Sequence, residues 1–328
     1  MAANPTDRDG PAFHLSLPFH QALRDARTVL IAGAGGGADV FAGLPLFSEL
    51  TAAGKTVHVA NLSFAAIFDS TAEVLGPALV RVTASTETSA RYFPELQLAR
   101  WLADRGFDTP VYAIDRVGAA PVAEAYRTIR EIVQPDAIVL IDGGTDSLMR
   151  GDEAGLGTPE EDAASIAAVA ELDVPTKLLV CIGFGIDAFH GVCHAHVLEA
   201  VAALARTGDY LGCWSLVNGM PGVEAYADAV DYAFGGVSRQ PSIVNASILS
   251  AIDGQFGDHH ATRRTHGSTL FINPLMALCW AFRLDAVAAR NLYLPHVRGT
   301  RTEFDLRLAI ERFRLSLPQT RPWTPLPM

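Results

Sequence analysis

The stretch VLIDGGTDSLMRGDE, residues 139–153, decides how the chain is read. An apolar run, Ile138-Val139-Leu140-Ile141, stops abruptly at Asp142-Gly143-Gly144, which reads as a buried strand ending in a turn that suits glycine. Asp142 then stands at the carboxyl end of a strand. In an open parallel α/β sheet that edge forms the ligand crevice, and here it carries Asp142, Asp146, Asp152 and Glu153, with Arg150 as their one nearby cation.

Upstream, Thr28 to Ala32 is a short apolar strand that meets the glycine loop Gly33-Ala34-Gly35-Gly36-Gly37-Ala38-Asp39, and a helical pattern follows from Val40 to Ala53. Thr56 to Ala60 is the next strand, so a first βαβ unit is complete. Strands at Leu79–Val82 and Val111–Ile114 alternate with helices over Pro94–Ala103 and Pro121–Val133. Downstream, Thr158-Pro159-Glu160-Glu161 reads as a helix start closed by a capping box between Thr158 and Glu161. Residues 177–182, KLLVCI, form a further strand, which makes six or seven by about residue 216. Helices are expected over 221–234 and 274–290, and the turn-rich residues 235–272 are placed to wrap the active edge.

This alternation predicts a doubly wound, mostly parallel Rossmann-like sheet, because parallel neighbours need a crossover and the crossover is usually a helix. With no low-complexity linker and no repeat, the reading is a single α/β domain over 28–328 with C-terminal helical and loop elaborations. Residues 1–27 are expected to be a partly disordered lead-in.

The composition narrows the class of function. At 328 residues and 49% hydrophobic, the chain can fill a sizeable core. Its four cysteines show neither CxxC spacing nor disulfide density, so a cytoplasmic, reducing setting is expected. The most apolar region, Val29 to Phe47, is broken by five glycines and Asp39, which argues against a membrane span. A formal net charge of −11 with scattered basic residues argues against nucleic acid as partner. A small-molecule ligand is the expected partner, and a homo-oligomer is compatible with the sequence.

Four stretches carry residues suited to chemistry. Gly33-x-Gly35-x-x-Ala38, with Gly36, Gly37 and Asp39, fits a loop whose helix amides face an anion. Asn61 stands where a dinucleotide site would have an acid on the ribose, and Asp39 would repel a pyrophosphate unless a metal or another cation intervened. The acidic stretch offers Asp142, Asp146 and Asp152 to a divalent metal, and Asp142, Asp146 and Glu153 to proton transfer, with Gly143, Gly144 and Arg150 as neighbours. In GIDAFHGVCHAH, a helix starting near Phe189 would set His190 and His194 on one face like zinc ligands, with Asp187 or Asp258-His259-His260 as a third. The stronger reading there is His190 as a general base aligned by Asp187. In the run from Asp258 to Thr265, His259 and Arg263 could clamp a carboxylate or phosphate over the crevice. Each has a structural alternative: a packing turn, a self-bonded acidic loop, a histidine-bearing helix face, a solvated loop.

Three of these stretches, GAGGGADVFAGLPL, DGGTDSLMRGDEAGLGTPEED and GFGIDAFHGV, together resemble the DUF1152 proteins, an uncharacterised archaeal and bacterial group. The resemblance runs from about Thr28 into the final third. It implies one full-length unit and brings no activity, ligand or catalytic residue with it.

The residues therefore favour an enzyme acting on a small polar metabolite, phosphorylated or nucleotide-like, by hydrolysis or group transfer, with a divalent metal or a nucleotide as the expected cofactor. An NAD(P)-dependent oxidoreductase and a non-catalytic small-molecule-binding protein are the alternatives.

Overall fold

In a computed structural model, residues 16–235, 240–268 and 270–326 are described. The chain opens with a short helix α1 (Pro18–Ala22) and strand β1 (Thr28–Gly33), then helix α2 (Leu44–Ala52) and β2 (Thr56–Ser63). A hairpin β3 (Glu73–Gly76) and β4 (Leu79–Val82) leads to α3 (Pro94–Asp104), β5 (Val111–Asp115), α4 (Ala119–Val133) and β6 (Ala137–Asp142). The next elements are α5 (Pro159–Ala170), β7 (Thr176–Cys181), α6 (His194–Thr207), β8 (Tyr210–Ser215), α7 (Pro221–Phe234) and α8 (Ile243–Ile252). The last part holds the short strands β9 (Gly257–Asp258) and β10 (Phe271–Ile272), then β11 (Leu278–Arg283), α9 (Leu284–Arg290), α10 (Leu294–Val297) and α11 (Glu303–Ser316).

Nine strands form one sheet in the order β3-β4-β5-β2-β1-β6-β7-β11-β8. The five central strands, β5 to β7 in that order, run parallel, and β4 and β11 flank them antiparallel. Central strands buried on both faces read as unbroken apolar runs, which is why Val29 to Ala32 and Ala137 to Ile141 are so easily recognised. One face packs against α2, α3 and α7 and the other against α4, α5 and α9, each around its own buried cluster. This is the doubly wound, Rossmann-like architecture.

Connections from β1 lead to β2 on one side, and β6 continues to β7 on the other. The switch point therefore lies between β1 and β6, where the loops after both strands part and leave a crevice.

Three sequence expectations are corrected. Residues 274–290 are not one helix: Asn273 caps only a short 3-10 turn, Pro274–Ala277, and β11 follows before α9. The Asn-Pro start signal is real, but Cys279, Trp280 and Phe282 favour a strand that fills the gap between β7 and β8. Helix 40–53 begins as a 3-10 turn, Asp39–Gly43, before α2. The count of six or seven strands by residue 216 becomes eight, because the short β3 carries little apolar signal.

The expected disorder over 1–27 falls partly outside the described residues. Within them, α1 sits on the sheet, with Phe19 fully buried and stacked on Trp214 at 4.7 Å. Among the described residues no helix is long and apolar enough to cross a membrane.

Candidate functional site

The loops after β1, β2, β5, β6 and β7 open into one cavity of about 570 Å³ at the switch point. The glycine loop, the acidic strand end and the turn bearing His190 are brought together there, although they are far apart along the chain. The 240–244 segment and Arg264 close the cavity from above, so part of the 235–272 region does border the active edge.

Carboxylates dominate the floor. Asp142 ends β6 and is 2% exposed; Asp146 and Asp162 are 4% and 2% exposed. One ligand oxygen from each of these three lies within 4.8 Å of the other two, a spacing that an all-oxygen divalent cation site such as Mg²⁺ or Ca²⁺ can use. Asp142 accepts a short hydrogen bond from the Ser147 hydroxyl. Asp146 Oδ2 accepts from the Thr158 amide at 2.8 Å and its hydroxyl at 3.3 Å, so Asp146 caps the start of α5. Thr158 makes no capping box with Glu161, which corrects the sequence expectation.

The glycine pair after β6 owes its identity to space rather than to backbone conformation. Neither Gly143 nor Gly144 has a positive φ. A Cβ on Gly143 would come within 2.5 Å of Asp39 Oδ1, and one on Gly144 within 2.6 Å of Asp187 Oδ2. The glycines thus admit two further carboxylates, Asp39 and Asp187, beside the end of β6. Asp39 Oδ2 accepts from the Gly35 amide at 3.1 Å and Asp187 Oδ2 from Thr145 at 2.7 Å. In the glycine loop itself, Gly36 and Gly37 do take positive φ and lie against the Phe64 ring.

Burial and mutual repulsion hold these acids toward their protonated forms. Burial, then the charge of Asp146 and Glu161, pushes Asp39 up to about 7, against the pull of the Gly143 and Gly35 amides. Burial and neighbouring aspartates raise Asp142, Asp162 and Asp187 well above the usual carboxylate range, and burial raises Asp146. Glu161, on the wall beside Arg116, is pushed to about 7 by burial. Such displaced acids gathered in a cleft make this the candidate functional site.

Several expected site residues lie elsewhere. Glu153 is buried away from the cavity, where it accepts the Arg150 and Gly151 amides and pairs with Arg321 at 2.7 Å. Asp152 also pairs with Arg321, at 3.0 Å, and Arg150 lies 3.9 Å from Asp152. These three form a structural clasp with the end of the chain, because Arg321 saturates the acids that looked free in the sequence. Asn61 is fully buried, donating to Glu95 at 2.6 Å and to the Gly37 carbonyl at 2.9 Å. Gly33 is there to make room for it, since a Cβ would collide with Asn61 Oδ1.

His190 lines the cavity, but Gly191, at φ +89°, breaks the chain between it and α6. His190 and His194 therefore share no helix face, and the zinc pairing is corrected; His194 instead packs against Phe184 at 5.2 Å. His259 and Arg263 do not line the cavity, whereas the neighbouring Arg264 does.

Sequence reasoning missed Asp162, Glu161, Arg116 and Phe64. Asp162 left a signal: α5 is apolar on all sides after its first turn, so the helix had to be buried and its acids had to face something. Arg116 and Phe64 each follow a parallel strand, β5 and β2, and the guanidinium lies 4.9 Å over the Phe64 ring.

The family model described as DUF1152, a protein of unknown function, matches residues 65–314. The chain is a DUF1152 protein. The match begins after β2, so the β1 glycine loop of this DUF1152 chain lies outside it, while Asp142, Asp146, Asp162, Asp187 and His190 all lie within. No curated protein and no solved structure matches the chain.

Glu95, linked through Asn61 to the cavity-lining Gly37 of this DUF1152 protein, gives a test of its buried electrostatics. Burial pushes its carboxyl to about 7, against the hydrogen bond from Asn61. A raised folded pKa stabilises fully below the unfolded value near 4.5, and that contribution is lost as pH rises through about 7. At roughly 1.4 kcal/mol per unit, the loss is on the order of 3 kcal/mol by pH 8. Glu95→Gln is expected to match the wild type at pH 4.5 and to exceed its stability at pH 8, as read by urea melts at both pH values. Equal wild-type and variant stabilities at pH 8 would refute this account.

Proposed function

We propose that the protein is an enzyme acting on a small polar, phosphorylated metabolite by hydrolysis or group transfer, with a divalent cation at Asp142, Asp146 and Asp162. The observation that carries this reading is the convergence of those three carboxylates on the floor of a cavity whose walls hold Arg116, Arg264 and His190. The all-oxygen donor set suits a hard cation, which would supply Lewis-acid polarisation of a phosphoryl oxygen.

The chain's own residues divide the remaining work. Asp142, Asp146 and Asp162, arising from β6, its loop and α5, would hold the cation through their carboxylate oxygens. Arg264 attracts the anionic substrate and pairs with its outer oxygens, while Arg116, paired with Glu161 and Glu303, adds positive charge to the wall. His190, exposed at the rim, is placed to serve as general base or acid at the attacking or leaving oxygen. The 240–244 segment supplies part of the lining against which the substrate would rest.

A nicotinamide cofactor finds less support. Asn61 is engaged with Glu95 rather than open to a ribose, and Asp39 occupies the Gly35 amide that a pyrophosphate would use.

The test is turnover of a panel of phosphomonoesters, sugar phosphates and nucleotides with Mg²⁺ or Mn²⁺, against the same panel with chelator. Turnover is expected with metal only, and His190→Ala is expected to lower kcat by roughly 10²–10⁴. No turnover of any phosphorylated compound, together with no shift in Tm from any of them, would sink the reading.

A further inference from the structure

We infer that the site is built for two divalent cations that share Asp162, the second held between Asp162 and Asp39. This rests on the proposed function, which needs only one cation.

Asp162 differs from the other acids of the floor. Asp142 takes the Ser147 hydroxyl, Asp146 takes both donors of Thr158, Asp187 takes the Thr145 amide and Asp39 takes the Gly35 amide. Asp162 Oδ1 is buried and has no hydrogen-bond partner. A buried carboxylate oxygen left unmatched by the protein is costly, and such exceptions call for a ligand.

That oxygen faces Asp39. A Cβ built on Gly35 would lie 3.1 Å from Asp162 Oδ1, 3.5 Å from Asp162 Oδ2 and 2.7 Å from Asp39 Oδ2. Both carboxylates therefore front the same small space over Gly35. Glycine at 35 keeps that space clear, as any side chain would enter it.

Charge counts the same way. Among the described residues, none of Asp39, Asp142, Asp146, Asp162 and Asp187 forms an ion pair with lysine, arginine or histidine. Arg116, on the wall, pairs instead with Glu161 and Glu303. With all five ionised, one divalent cation offsets two of the carboxylates and two offset four, which leaves Arg264 at the rim to meet the charge of the substrate. Paired cations about 3.5–4 Å apart, bridged by one carboxylate, are a recurrent solution for phosphoryl chemistry.

The experiment uses Mn²⁺ alone on the full chain, reading stoichiometry by equilibrium dialysis and spin coupling by low-temperature EPR. Expected are two Mn²⁺ per chain with an exchange-coupled spectrum. Asp39→Asn is expected to reduce this to one Mn²⁺ with an uncoupled six-line spectrum, and Asp152→Asn, in the Arg321 clasp, to leave two. Asp39→Ser serves as a second variant if the first melts before assay, and the wild-type result needs neither. A wild type that binds one Mn²⁺ and turns over substrate overturns the second site and leaves the proposed function standing. Two uncoupled ions overturn the shared Asp162, and retention of two by Asp39→Asn overturns the role of Asp39. No Mn²⁺ bound at all overturns the cation in the proposed function as well.

Discussion

Asp142→Asn is expected to lower metal-dependent turnover by about 10³-fold, roughly 4 kcal/mol of transition-state stabilisation, while leaving the fold intact. Asparagine is isosteric and its amide oxygen can still accept from Ser147, so the end of β6 keeps its packing. What is lost is one of three converging charges on the cavity floor. The same substitution is expected to raise the Tm of the chelated protein, because it removes a buried carboxylate that other carboxylates repel. Activity and stability moving in opposite directions separates a ligand from a scaffold residue. Initial rates with the best substrate of the panel and thermal melts with and without Mn²⁺ check both halves, and a rate within threefold of wild type would remove Asp142 from the machinery.

Gly157→Ala carries the second largest expected effect, a loss of about 3 kcal/mol in stability. Gly157 sits at φ +74°, which costs alanine roughly 1–2 kcal/mol, and a Cβ there would lie 2.5 Å from the Asp146 Cβ. The remainder of the cost is displacement of Asp146, which cannot yield without breaking its bonds to Thr158. Gly208→Ala is the control: its φ is +79°, but nothing lies within 4 Å of the added atom, so about 1 kcal/mol is expected. Denaturant melts of the pair measure the difference, and a weaker Mn²⁺ affinity for Gly157→Ala alone is its second sign. Equal losses for the two would mean that the Asp146 contact is soft.

The central sheet was legible because its strands are long apolar runs closed by glycine turns, a signal carried by each segment on its own. The meeting of the Gly35 loop, Asp142 and His190 followed from topology, since every parallel strand points its carboxyl end at the same edge. Partnership was not legible. Glu153 and Arg321 are 168 positions apart, and nothing local to the acidic loop reveals that the end of the chain neutralises it. The missing member of the carboxylate triad, Asp162, looked like an ordinary acid in a first helical turn, where acids are favoured by the helix dipole. Cysteine and tryptophan in β11 gave a strand signal that the preceding Asn-Pro concealed.

The place of β11 between β7 and β8 has a bearing on biosynthesis. A ribosome delivers β8 more than sixty residues before the strand it must pair with, so the outer part of the sheet waits, with its edge uncovered, until Leu278–Arg283 has been made. Arg321, which fastens the acidic loop beside the cavity, emerges later still. Pairing of the inner strands can run along with translation, whereas the outer sheet and the acidic loop are fastened only once these late segments have been made.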